Sequence, residues 1–194
     1  MSKSGSTSSK KDRNHTVRWV ITIFFVTIFV SGLISFGSDA IMGNSSMLVA
    51  FIILFVIILI GILFDIVGVA VTSADEKPFH SMAARKVPGA QEAIKLLRKA
   101  ERVSSICNDV VGDICGVVSG SASATIAAQV LSAFTFFWPQ IVTLLMSALV
   151  AGMTVGGKAI GKTFAMKSCT AIVHGVGRII WAVHHLPQVF KKRK

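Results

Sequence analysis

Met47 to Val71 reads MLVAFIILFVIILIGILFDIVGVAV, a run with one charged residue, Asp65, and no proline. The hydrocarbon core of a bilayer is about 30 Å thick, and only a closed helix satisfies its own backbone donors there. A crossing therefore takes about 20 apolar residues. This run is long enough to cross with tilt. Working outward, Val17 to Phe36 is a second such segment, rich in Ile, Val and Phe. Ser104 to Ala133 is a third, built of small residues, and Phe136 to Val155 is a fourth. The whole chain agrees: 194 residues, 53% hydrophobic and 15% charged, with mean hydropathy +0.70. That composition excludes a soluble domain, which needs polar residues on every outer face.

The expected fold class is an all-α integral membrane protein with four transmembrane helices and two cytosolic juxtamembrane amphipathic helices. The first amphipathic stretch follows Gly89, with Ala90, Ala93, Ile94, Leu96, Leu97 and Ala100 against Gln91, Glu92, Lys95, Arg98, Lys99 and Arg102. The second carries Ile172, Val173, Val176, Ile179, Ile180, Val183 and Leu186 at helical spacing, with Trp181 as an interfacial anchor and Pro187 as its expected stop. Residues 1–16 are expected to be a disordered basic tail, and residues 188–194 a basic C-terminal tail. The first span, 17–36, is too long for a signal-peptide core and no A-x-A site follows it, so it is expected to remain.

The net charge of +11 fixes orientation. Every Lys and Arg falls in the N-terminal tail together with Arg18 at its junction with span one, in the link between spans two and three, or after span four, whereas Gly37 to Ser46 and Phe134 to Phe137 hold none. Basic residues accumulate on the cytosolic side, so both termini are expected there, in a multi-pass protein of the plasma membrane. The expected partners are the lipid bilayer, anionic lipid headgroups, and a second copy or another membrane protein. Nucleic acid is not expected, since no basic stripe carries stacking aromatics.

Carboxylates inside a membrane are costly and call for a partner. Asp65 lies roughly 10 to 12 Å from the cytosolic end of its span and Asp109 and Asp113 roughly 7 to 13 Å, at about 1.5 Å per residue. With no Lys or Arg expected in the same portions of the spans, the compensation is protonation, water or a cation. Oxygen ligands suit Mg²⁺ or Na⁺. Gly112, Gly116 and Gly120 repeat at the spacing of a small-residue packing face. Cys107, Cys115 and Cys169 lack zinc spacing and read as small buried hydrophobes. Gly156, Gly161, Lys162 and Thr163 match a phosphate-loop pattern, but one that follows a membrane span and not a strand, so no nucleotide site is expected. No nucleophile and base meet at a credible spacing, and an enzyme is not expected.

Several short pieces in sequence resemble the transmembrane module of the CorC and cyclin-M (CNNM) magnesium transport proteins. They are Phe64, Asp65, Ala70, Val71, Thr72 and Ser73; Gly89, Ala90, Ala93, Leu96 and Leu97; Ile106 and Asn108; and Gly157, Ile160, Lys162, Thr163 and Ala165. The resemblance implies a module over 47–187, a homodimer, and an intramembrane metal site to which Asp65 (in place of a serine), Ser73 and Asn108 contribute. The chain departs from the pattern at Gly68 and Lys158, where the family has glutamates, at Cys107 for glycine and at Gly161 for proline. A regulatory CBS pair is not expected. The expected function is transport of a divalent cation, Mg²⁺ or Co²⁺, with Asp65, Ser73 and Asn108 as metal ligands by the resemblance and Asp109 and Asp113 added as intramembrane carboxylates of the third span. The alternative is a non-transporting scaffold or accessory subunit.

Overall fold

A computed structural model describes the backbone of residues 6–43, 45–134 and 137–191, and their side chains except those of 6–16, 39, 42, 43 and 186–191. The chain is an all-α integral membrane protein: the described residues form helices and no strand. Helix α1 spans Ser6–Gly43, α2 Met47–Ser73, α3 Lys77–Ala84, α4 Ala90–Leu97 and α5 Ala100–Ser105. A π-helical segment, Ile106–Gly112, joins α5 to α6 (Asp113–Ala133), and α7 (Pro139–Lys167) and α8 (Cys169–Lys191) complete the chain. Four stretches are long and apolar enough to cross a bilayer: Val17–Ser38, Met47–Ser73, Ala100–Ala133 and Pro139–Lys167.

Several boundaries differ from the sequence reading. Helix α1 begins at Ser6, inside the segment expected to be disordered, and only its first five residues lie outside the described part. The fourth span continues past Val155 to Lys167 because nothing between them breaks a helix. Pro187 does not end α8, which runs on to Lys191; a proline removes one backbone donor but keeps a helical φ. Of the expected C-terminal tail, 192–194 lie outside the described residues. The amphipathic stretch after Gly89 is broken at Arg98 and Lys99 into α4 and α5, and an additional short helix, α3, starts on Lys77 and Pro78. Proline is favoured in a first turn, where its missing N–H has no helical partner anyway.

Three apolar clusters hold these elements. At the end away from the basic residues, Ala50, Leu54 and Ile58 of α2 interlock with Ala122 and Ile126 of α6 and Val150 of α7. Helix α1 is peripheral, seating Ile23 and Val30 on Val110, Ile114 and Val118 while leaving Phe24, Phe25 and Phe29 exposed, as a lipid-facing helix does. At the basic end, Val69 to Val71, Phe79, Ala93, Leu97, Ala165 and Val173 gather α2, α3, α4, α7 and α8 into one core. There α4 and α8 cross backbone to backbone. Gly89 takes φ +85° and Gly177 lies against its carbonyl oxygen, so a Cβ at either position would strike main chain. His174 Nε2 lies 3.3 Å from the Pro88 carbonyl oxygen beside this crossing.

Candidate functional site

Antiparallel contact between α2 and the third span runs as a ladder. Gly61 lies against Cys115, Asp65 near Gly112, and Gly68 against Asn108. Residues three or four apart share one helical face, so 61, 65 and 68 confront 115, 112 and 108 in turn. Gly68 leaves the volume that the Asn108 amide occupies, since a Cβ there would overlap Asn108 Oδ1. Asn108 Nδ2 donates to Ser104 Oγ at 3.2 Å, while its Oδ1 is buried and receives no hydrogen bond from the described residues.

The third wall is α7. Gly157 and Gly161 fit over Ile62 and Ile66 of α2, and the close approach brings Lys158 to the ladder. Its Nζ stands 3.9 Å from Asp65 Oδ1 and donates to the Gly112 carbonyl oxygen at 3.4 Å. Both side chains are largely enclosed, Lys158 at 25% and Asp65 at 16% exposure. Gly112 itself makes the room, because a Cβ there would come within 3.3 Å of the ammonium. The accepting carbonyl closes the π segment, whose i→i+5 bonding widens the turn; such turns recur at functional sites.

These contacts correct the expectation that no basic residue shares the depth of Asp65. Its partner is Lys158, drawn among the spans by the roughly three turns that α7 adds beyond Val155. The five proposed ligands do not converge. Asp65 and Asn108 sit one turn apart along the ladder. Asp109 is exposed and accepts a hydrogen bond from Ser105 Oγ at 2.9 Å, and Asp113 is exposed as well. Each follows a residue that faces α2, and one step along a helix rotates a side chain by about 100°. Ser73 is exposed at the end of α2, about 12 Å of helix rise beyond Asp65. Among the described residues no three His, Cys, Asp or Glu side chains gather as a metal-holding group.

Of the glycines expected to form a packing face, Gly112 is buried at the niche. A methyl at Gly116 or Gly120 would meet nothing within 4 Å, and the tight helix contacts use Gly61, Gly68, Gly157 and Gly161 instead. The phosphate-loop pattern lies wholly within α7, where Thr163 Oγ1 donates to the Ala159 carbonyl at 3.2 Å. Sequence reading missed Lys158 and the Gly112 carbonyl. The signal available for the first was the pair Gly157 and Gly161, a small-xxx-small repeat that flanks Lys158 and marks the helix as still packed against a neighbour.

Fold and niche together define a class: a four-span α-helical membrane protein with an enclosed Asp–Lys pair among three of its spans. Comparison with protein-family models, with curated proteins and with solved structures finds no match for the chain.

Proposed function

We propose that the chain is a cation transport protein of the CorC and cyclin-M type, acting on a divalent ion, Mg²⁺ or Co²⁺, in which the Lys158 ammonium guards the ion's place. The observation that carries this reading is the set of oxygens around Lys158 Nζ. A carboxylate at 3.9 Å and a main-chain carbonyl at 3.4 Å surround a positive charge deep among the spans, and the uncapped Asn108 Oδ1 lies one turn away. Hard cations take such oxygen donors. The cargo would bind by displacing the ammonium from Asp65, so binding and movement of Lys158 are coupled. The resemblance supports the same reading from another side. Two of the departures from the family pattern, Asp65 and Lys158, are the residues that face each other here. In this reading the basic end faces the cytosol of the plasma membrane, both termini lie on that side, and the chain pairs with a second copy.

The test is a melting series on the detergent-purified full chain with Mg²⁺, Mn²⁺, Co²⁺, Ca²⁺ and Na⁺, backed by flux into liposomes. A ligand that favours the native state raises the melting point. A divalent ion should stabilise the wild type, Asp65→Asn should abolish the response, and Lys158→Met should shift its midpoint to at least about tenfold lower ion, by removal of the competing charge. A second reading, a scaffold or accessory subunit, is favoured by the separation of Asp109 and Asp113 from Asp65 and by the neutralisation of Asp65 within the chain. No response to any ion, in wild type and Lys158→Met alike, would establish that reading over the first.

A further inference from the structure

The elbow between α4 and α5 encloses an open cavity of about 470 Å³, lined by Leu97, Arg98, Lys99, Ala100, Glu101 and Arg102. Arg98, Lys99 and Arg102 are exposed, and none joins an ion pair among the described residues. The nearby Lys95 differs: it is held by Glu92 at 3.2 Å. Three cations facing one acid, Glu101, leave the cavity with a net positive charge. Its depth follows from Trp19. The Arg102 guanidinium carbon stands 5.5 Å from the centre of the Trp19 ring, which joins the start of the apolar part of α1 to the start of the third span. Tryptophan at such a boundary marks the headgroup layer. On the membrane-ward side of these two residues, Val20 and Ile106 are exposed, at 58% and 45%. The patch thus offers cations at headgroup depth with apolar surface directly below them, which suits a ligand that is anionic at one end and hydrocarbon at the other. A soluble anion would use only the upper part.

We propose that Arg98, Lys99 and Arg102, beside Trp19, form a headgroup site for an anionic phospholipid. Arginine and lysine bind the phosphate diester by charge-assisted hydrogen bonds, the arginine fork being suited to two oxygens at once. The acyl chains run along α1 and the π segment, where Val20 and Ile106 are uncovered. The site is independent of the Asp65–Lys158 niche, which lies deeper among the spans, and does not rest on the transport reading.

The experiment places the full chain in phosphatidylcholine nanodiscs with rising fractions of phosphatidylglycerol and reads the melting temperature. The wild type should show a saturable rise. The triple variant Arg98→Gln, Lys99→Gln, Arg102→Gln should need at least about tenfold more phosphatidylglycerol for half of that rise, because each lost cation weakens the attraction to the anionic surface. The charge-matched variant Lys77→Gln, Arg85→Gln, Lys86→Gln should keep the wild-type midpoint. Should the triple variant not fold, Arg98→Gln alone leaves the Arg102–Trp19 contact intact and should shift the midpoint about threefold. Four results overturn the proposal: a wild type indifferent to phosphatidylglycerol, a control variant shifted as far as the site variant, an Arg98→Gln variant with no shift, or an equal rise produced by inorganic phosphate in phosphatidylcholine alone.

Discussion

The two halves of the bundle are held together by different means. Away from the basic end, Leu54 and Ile58 of α2 fill space against Ala122, Ile126 and Val150, and the buried polar groups near them include the hydroxyl of Ser119, which donates to the Gly116 carbonyl of its own helix at 2.9 Å. Toward the basic end, the same α2 turns Gly61, Asp65 and Gly68 to its neighbours, and each is matched to one specific group: a cysteine side chain, an ammonium, an amide. Among the apolar contacts of the first region volume decides, so many apolar sequences would serve at those positions. In the second, a single replacement leaves a charge or a collision. Lipid tails are as apolar as leucine, which makes close fit and polar matching the main sources of helix association within a bilayer. The second half therefore holds more of the structural specificity in less apolar surface.

The largest effect should come from breaking the charge match. Asp65→Ala leaves the Lys158 ammonium enclosed without its carboxylate and should cost about 3 kcal/mol, the low end for breaking a buried pair, because Lys158 retains some exposure. Unfolding in SDS mixed micelles measures it. The double variant Asp65→Asn, Lys158→Met should recover most of the loss, since neither charge remains; a double variant as unstable as the two single changes combined would mean that the residues do not act as a pair.

Leu54→Ala probes the other half. Leu54 is 4% exposed, and its truncation should cost about 2 kcal/mol in the same assay, with lost dispersion around a cavity as the main cause. Smaller again is Gly68→Val, at about 1.5 kcal/mol, since the atom it strikes is the tip of the Asn108 side chain, which can swing away at the expense of its bond to Ser104. Adding Asn108→Ala to Gly68→Val should relieve part of that loss. If it does not, the strain lies in the helix spacing and not in the amide.

How much of this was legible in the sequence follows the same division. Runs such as Met47 to Val71 announce membrane helices because the requirement is local: enough apolar residues to satisfy the bilayer. The amphipathic faces of α4 and α8 were equally plain, being matters of period. Lys158 was not legible. Read by itself, a lysine after Val155 signals the end of a span, and only the fit of Gly157 and Gly161 over Ile62 and Ile66 shows that the helix continues beside α2. Likewise Asp109 and Asp113 share a face with each other, but whether that face meets Asp65 depends on how the third span is rotated. Its rotation is fixed by Gly61, Gly68 and Gly112, whose partners lie on other helices. The π segment adds a local change of phase that a uniform helical count does not anticipate.

The smallest effect sharpens the comparison most, because it concerns a surface that neither half uses. Gly116→Ala and Gly120→Ala each place a methyl where nothing stands within 4 Å. Within one chain the only consequence is the gain in helix propensity, so each variant should be as stable as wild type or more stable by up to about 1 kcal/mol. The same methyl pushes apart any second helix seated on these glycines, for which close backbone approach is the basis of association. Melting measured across a range of protein concentration in detergent separates the two situations. A gain that is the same at every concentration means that the face meets lipid. A loss that appears only where chains can associate means that Gly116 and Gly120 belong to an interface with another copy. In that case the specificity seen around Asp65 and Lys158 extends outward from the bundle, to a surface that also includes the exposed Asp113 one turn away.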